Sequence, residues 1–250
     1  MIYNFNIYNF SYIFLFSSSS RAKRARNLVL DEADVAEDDD DEEETGVVGA
    51  RGGSTVLQQN LLPGVGDPKL FKNSNGEIVF SDYPEFRPNL TPREIFKMGS
   101  FGGTYWRPIY SSITKKKYKN IHLDYPKSWW KDIPNDWLTT EWDEYAKSIN
   151  KYNVEVGTTL EFWEEKKWIT NNNPYGWVQW YCDFYNGKRG PDDEWQTSRW
   201  KKTAGPNSRF RKRLINMIND KNAKYNDYDI SPKIRQTLQH WGYELTSKDL

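Results

Sequence analysis

The distribution of tryptophan is the feature that most constrains how this chain can fold. All 12 tryptophans lie between Trp106 and Trp241, in a chain that also carries 16 tyrosines and 12 phenylalanines. Aromatic side chains supply large buried areas, so a segment this rich in them can build a packed core. A length of 250 residues suits one domain with appended segments, or two small domains. We therefore expect a single Trp-rich globular domain over residues 67–250.

The first residues of the chain form an apolar segment, 1–20, of unclear role. Its apolar run is shorter than the roughly 20 residues that a membrane-spanning helix needs, so no stable membrane span is expected. No basic residue precedes the run, although secretory signals carry one. A secreted protein, with residues 1–20 acting as a signal peptide, is the alternative to the intracellular location predicted next. The basic cluster at Arg21–Arg26 instead predicts an intracellular protein and a nuclear location.

An acidic tail and a linker follow this cluster. Residues 31–44 carry 11 acids in 14 positions, and such a run repels itself and lacks apolar area to bury. Residues 45–66 contain six glycines, a composition typical of flexible linkers. We predict that residues 21–66 are disordered. Residues 31–44 could bind a basic protein partner or mask a basic surface of the same chain.

The domain itself is predicted to be mostly α, with a small β hairpin at its N-terminal side, and an α+β class remains the alternative. Residues 104–123, which include the basic stretch Lys115–Lys119, predict an irregular hairpin. Thr91 to Glu94 form a capping box at a helix start. Residues typical of helix starts and ends, together with the spacing of apolar residues, predict further helices. These begin near residues 159, 174, 191, 207 and 231, and the apolar spacing of the last one continues through Trp241 to Leu245.

The strongest charge feature is the segment 187–215, which holds nine bases against three acids. Bases on short helices can contact the phosphates of nucleic acid or of another polyanion. The alternative is that these bases form solvated helix faces and complement helix dipoles. The candidate polyanion-binding residues are Lys188, Arg189, Arg199, Lys201, Lys202, Arg209, Arg211, Lys212 and Arg213.

A second candidate site is the loop Gly99–Arg107. Gly102 and Gly103 would let backbone N–H groups approach an anion, and Arg107 would supply a positive charge. The glycines could equally serve a tight turn against bulky neighbours. An enzyme or small-ligand protein with a pocket between this loop and helix 174–186 is accordingly the alternative function. A structural or scaffold domain without ligand is the third.

Cysteine and histidine are too scarce to indicate metal or cofactor chemistry. The single cysteine, Cys182, excludes an internal disulfide, and His122 and His240 lie far apart in the sequence. We predict no metal and no cofactor. The sequence indicates no catalytic residue, and we therefore favour a binding protein over an enzyme.

Several strings resemble an uncharacterised family found in eukaryotes and some large DNA viruses, over about residues 86–250. The resemblance implies that this stretch is one evolutionary unit, and it brings no activity to transfer. The strings are Gly99–Arg107, Asn150–Tyr152, Tyr175–Tyr181, Asp192–Glu194, Arg199–Trp200, Ala204–Pro206, Arg209–Arg211, Gln236–Leu238 and His240–Trp241.

Overall fold

The computed structural model describes residues 70–250, and the structural statements below concern these residues. The predicted apolar segment 1–20, the tail and linker 21–66 and the start of the predicted domain lie outside the described residues. Residues 70–156 and 160–250 belong to one unit of the fold.

The described chain opens with a short β pair and a capped helix. Strand β1 (Phe71–Lys72) pairs antiparallel with β2 (Ile78–Val79). Helix α1 (Pro92–Lys97) begins at the predicted capping box, where the Thr91 hydroxyl accepts from the Glu94 N–H and the Glu94 carboxylate accepts from the Thr91 N–H. The box satisfies two backbone donors that a helix start otherwise leaves unpaired, and it confirms the predicted start.

A second hairpin and several single turns occupy the middle of the chain. Strands β3 (Ile109–Ser111) and β4 (Lys116–Tyr118) pair antiparallel, within the hairpin predicted for residues 104–123. Only short helical segments follow, and prolines lie in the segments that connect them. The helical segments are a 3-10 turn at Ile121–Asp124, helices α2 (Lys127–Trp130) and α3 (Asp136–Thr139), and 3-10 turns at Trp142–Glu144 and Lys147–Ile149.

The rest of the chain is helical, which confirms the mostly α class. On α7 the buried residues Phe210, Leu214 and Ile218 share one face, and the Ser208 side chain caps the helix by accepting from the Arg211 N–H. The helices are α4 (Leu160–Glu165), α5 (Trp177–Tyr185), α6 (Asp193–Ala204), α7 (Arg209–Asp220) and α8 (Pro232–His240).

Helix α8 ends earlier than its apolar spacing predicts. Gly242 adopts a left-handed conformation with φ of +70°, and the Tyr243 N–H donates to the Leu238 carbonyl oxygen at 2.9 Å. A left-handed glycine just past the last turn closes a helix by satisfying its free carbonyls. Leu245 is therefore buried as part of the segment after the helix, and its helical spacing from Leu238 is coincidental.

The core is a cluster of aromatic rings centred on Phe86, whose side chain is 1% exposed. Its ring lies 5.1 Å from that of Trp200 in α6 and 5.5 Å from that of Phe184 in α5, both edge to face. Phe80 stacks on it at 5.2 Å. Such contacts add to the free energy gained by burying each ring. One residue before α1 thus joins α5 to α6.

Within the described residues, no helix combines the length and apolar character needed to cross a membrane.

Replacing Phe86 with alanine is expected to lower the free energy of unfolding by about 3–5 kcal/mol, because it empties a ring-sized space in the centre of the core. Urea unfolding followed by tryptophan fluorescence measures the change. Phe71→Ala removes the same atoms from a side chain that is 59% exposed and should change stability by no more than about 0.5 kcal/mol. Equal losses in the two variants would contradict a Phe86-centred core.

Candidate functional site

The nine bases of segment 187–215 are distributed over the loop after α5, helix α6 and the first half of α7. Four of them form ion pairs with carboxylates. The pairs are Lys188 with Asp183 (2.8 Å), Arg189 with Asp82 (2.6 Å), Lys201 with Glu85, and Arg211 with Asp249 (2.5 Å). All four acids lie outside the basic segment, so counting charge within the segment did not detect this neutralisation.

The pair of Arg211 and Asp249 is buried, with the two side chains only 11% and 2% exposed. The Arg211 guanidinium lies over the Tyr243 ring at 4.1 Å, and the Tyr243 hydroxyl donates to Asp249 at 2.9 Å. Desolvation raises the pKa of Tyr243 above its ordinary value, so this hydroxyl keeps its proton. Arg211 therefore ties the end of the chain to α7 and is not presented to a ligand.

Arg199 is also buried, at 6% exposure. Its guanidinium lies over the rings of Trp168 at 5.2 Å, Trp195 at 4.8 Å and Trp241 at 5.2 Å, and it donates to Gln196. This arrangement makes Arg199 a cation held among tryptophans inside the fold.

The remaining four bases of the segment are exposed. Lys202 and Arg209 take part in further interactions. Lys212 and Arg213, on the outer face of α7, make no ion pair within the described part of the chain. The polyanion site predicted on all nine residues stays a prediction, and these two are the members most available to a ligand.

The loop of the second candidate site packs against the protein. A Cβ atom added at Gly102 would overlap the Tyr145 ring, and one at Gly103 would overlap the Asp136 carbonyl oxygen. Arg107 lies over the Trp142 ring at 4.9 Å and donates to the Thr104 carbonyl oxygen at 3.0 Å. Desolvation lowers the pKa of Arg107. The glycines therefore permit close packing, and a ligand role for this loop stays a prediction.

A buried polar network joins the same loop to α8. The Ser100 hydroxyl donates to Gln239 Oε1 at 2.7 Å, and the Ser100 carbonyl oxygen accepts from Gln236 Nε2 at 2.7 Å. His240 Nε2 also lies 2.7 Å from that oxygen, and its ring stacks on Phe101 at 4.5 Å. Desolvation lowers the pKa of His240 to about 4, so at neutral pH its imidazole is uncharged and donates through Nε2.

A cleft of about 310 Å³ lies beside α5, lined by residues from Asn172 to Asp193. The loop Gly99–Arg107 does not line it, unlike the predicted pocket. Its carboxylates bind neighbouring protein groups: Asp183 accepts from Asn173 at 3.1 Å, and Asp193 accepts from Trp180 Nε1 at 2.8 Å. Desolvation raises the pKa of Asp193. The cleft therefore offers few unengaged polar groups to a small ligand.

The β3–β4 hairpin carries cations of a different kind. We use the name lysine hairpin for residues 109–119. Its four lysine side chains are exposed, and none of them forms an ion pair or hydrogen bond with any residue between 70 and 250. They are Lys115, Lys116, Lys117 and Lys119. The sequence analysis predicted a hairpin for this basic stretch but did not propose it as a binding site. The run of lysines is the sequence feature that could have indicated such a site.

Glu164 of α4 anchors the base of the lysine hairpin. Its carboxylate, in a residue 9% exposed, accepts from the Ser111 hydroxyl at 3.0 Å, the Ser112 N–H at 2.8 Å and the Ser112 hydroxyl at 2.6 Å. Hydrogen bonds to an ionised group are stronger than neutral ones. They hold β3 and the start of the turn against the domain while the lysines extend into solvent.

Residues 70–250 contain no group of three or more histidine, cysteine, aspartate or glutamate side chains that could hold a metal ion. Comparison of the chain with protein-family models, curated proteins and solved structures finds no match. The family resemblance over residues 86–250 therefore stays a prediction, and the function rests on the geometry above.

Replacing Asp249 with alanine is expected to lower the free energy of unfolding by about 3–5 kcal/mol, because it leaves the Arg211 charge buried without its partner. Urea unfolding measures the loss. Asp220→Ala removes an exposed carboxylate from the end of α7 and should cost no more than about 0.5 kcal/mol. A loss at Asp249 below about 1 kcal/mol, the range of exposed pairs, would mean that Arg211 is solvated.

His240 is expected to make the protein less stable in acid. Its pKa is 6.5 in the unfolded chain and about 4 in the fold. Above pH 6.5 both states hold a neutral imidazole, so His240 contributes no pH dependence. Between pH 6.5 and 4 only the unfolded state takes up the proton, which costs the fold about 1.4 kcal/mol per pH unit.

Unfolding titrations across this pH range measure the effect in the native chain and in His240→Gln. The variant should lose stability less steeply as the pH falls, since the carboxylates and His122 titrate in both proteins. Parallel curves would show that His240 is protonated without cost in the fold.

Proposed function

We propose that this protein binds a phosphate-bearing polyanion, with nucleic acid as the class of partner, through the lysine hairpin. The observation that carries the proposal is the set of four exposed lysines whose charges no described acid neutralises. Each lysine that contacts a phosphate releases a condensed counterion, and this release drives association at low salt.

The contrast with segment 187–215 supports the choice of surface. There, four bases already have carboxylate partners and Arg199 is buried. A phosphate would have to compete with those carboxylates, whereas at the hairpin it meets ammonium groups that pair with no described carboxylate. Lys212 and Arg213 on α7 offer the one comparable pair within that segment, and they serve as the alternative contact surface.

The anchoring of the hairpin also supports binding. Three hydrogen bonds to Glu164 hold the backbone of β3 and the turn, so binding would order only the lysine side chains. Less conformational entropy is then lost on association than with a flexible basic tail. The nuclear location expected from residues 21–26, and a masking role for residues 31–44, belong to this proposal as expectations.

The test is binding of the full 250-residue chain to a fluorescently labelled DNA strand of about 16 nucleotides, measured by anisotropy. If all four lysines contact phosphates, affinity should fall about 50-fold between about 50 and 200 mM salt. Replacing Lys116 and Lys117 with glutamine should weaken binding and reduce the slope of log K against log salt by about 1.4.

Two matched double variants locate the surface. Lys221→Gln with Lys224→Gln removes two exposed lysines beyond α7, so it changes net charge equally and should leave the salt slope intact. Lys212→Gln with Arg213→Gln tests the sequence-predicted face. Loss of binding in that variant but not in the hairpin variant would move the site to α7. Absence of binding at low salt would overturn the proposal altogether.

A further inference from the structure

Tyr110 is an exposed aromatic residue in the middle of β3. Its side chain is 54% exposed, and within residues 70–250 it has neither a ring contact nor a hydrogen bond to its hydroxyl. Tyr118 on the partner strand is different, because its hydroxyl donates to Thr114 at 2.9 Å and its ring lies 6.5 Å from that of Tyr175. In a domain whose rings mostly pack on one another, Tyr110 is presented to solvent.

The strand holds Tyr110 in this outward position. Its neighbours Ile109 and Ser111 are 8% and 0% exposed, so the opposite face of β3 lies against the domain. Successive side chains on a strand point to opposite faces, and Tyr110 therefore faces away from the core. The hydrogen bond from the Ser111 hydroxyl to Glu164 fixes this register. Turning Tyr110 inward would expose Ile109 and break the anchor.

The residue paired with Tyr110 across the ladder is a lysine. Lys117 is the residue opposite Tyr110 in the antiparallel pair, and opposite residues share one face of the ladder with their Cβ atoms about 5 Å apart. Lys115, Lys116 and Lys119 flank Lys117 along the chain. The face of the lysine hairpin that carries the unpacked Tyr110 ring thus also carries the unneutralised charge of Lys117, and the other three lysines lie within two residues of Lys117.

An aromatic platform within reach of cationic groups is the arrangement by which proteins bind unpaired nucleotides. Bases stack on aromatic side chains while basic residues follow the phosphates, and a base offers its face only when it is not stacked in a duplex. A polyanion without bases gains nothing from the ring. We infer that the lysine hairpin binds single-stranded nucleic acid, with Tyr110 stacking on a base and the lysines contacting the adjacent phosphates.

This inference rests on the proposed function and narrows the partner from nucleic acid in general to single-stranded nucleic acid. The proposed function needs only the lysines, and the inference also needs Tyr110. The two can therefore fail separately, and the experiment below uses a ligand with bases and a matched ligand without them.

The test compares Tyr110→Ala with Tyr110→Phe in the full-length chain, by anisotropy with an oligothymidylate of about 16 nucleotides. Removing the ring should weaken binding about 5- to 150-fold, the range found when a stacking aromatic is truncated. Phenylalanine keeps the ring and should retain affinity within about twofold of the native chain. Phe71→Ala removes an exposed aromatic from β1 and should have no effect.

The same measurements with an abasic oligomer of equal phosphate number separate stacking from charge. Tyr110→Ala should bind this oligomer as the native chain does, whereas glutamine at Lys116 and Lys117 should weaken its binding. Unchanged binding of oligothymidylate by Tyr110→Ala, or equal weakening with the abasic oligomer, would overturn the stacking role. Retained lysine dependence in that case would leave the proposed function standing as binding of polyanions by charge alone.

Discussion

The packing of aromatic rings around Phe86 is the interaction on which the rest of the structure depends. This ring precedes α1, yet it contacts rings of α5 and α6, which lie about a hundred residues further along the chain. Burial of large aromatic surfaces is the main favourable contribution available to such a domain. The contacts set how α5 and α6 pack, and thereby where the bases of the connecting loop lie.

That arrangement decides the electrostatics of the surface. Asp82 and Glu85 closely precede the core residue Phe86 in the sequence, and they reach Arg189 and Lys201 because the core brings α5 and α6 to them. Four of the nine bases in the segment with the largest excess of positive charge are thus paired with acids outside it. The lysines of the lysine hairpin form no ion pair with a described acid, and Glu164, the acid at its base, accepts hydrogen bonds from serine donors instead.

Much of the fold could be predicted from local signals. The capping box at Thr91, the hairpin within residues 104–123 and the helix beginning at Pro232 each depend on a few adjacent residues, and the structure contains all three. The prediction extended α8 too far, because the apolar spacing continues past His240. In the structure, the left-handed glycine at position 242 closes the helix. Periodicity alone does not distinguish a buried helix residue from a buried loop residue.

The candidate site was less predictable, because accessibility is a property of contacts between distant residues. Arg199 and Arg213 look equivalent in the sequence, but one is enclosed by three tryptophans and the other faces solvent. Tyr110 likewise resembles the other tyrosines of this aromatic chain. Its exposure follows from the pairing and anchoring of its strand.

The sequence by itself determined the helical class, the starts of α1 and α8, the place of the hairpin and the presence of lysines within it. Those features arise from caps, turns and spacing within a few residues. Only the tertiary structure decided which cations are free and which ring is unpacked. The deciding ion pairs join residues 38, 107 and 116 positions apart, and such partners are chosen by the packing of the aromatic core.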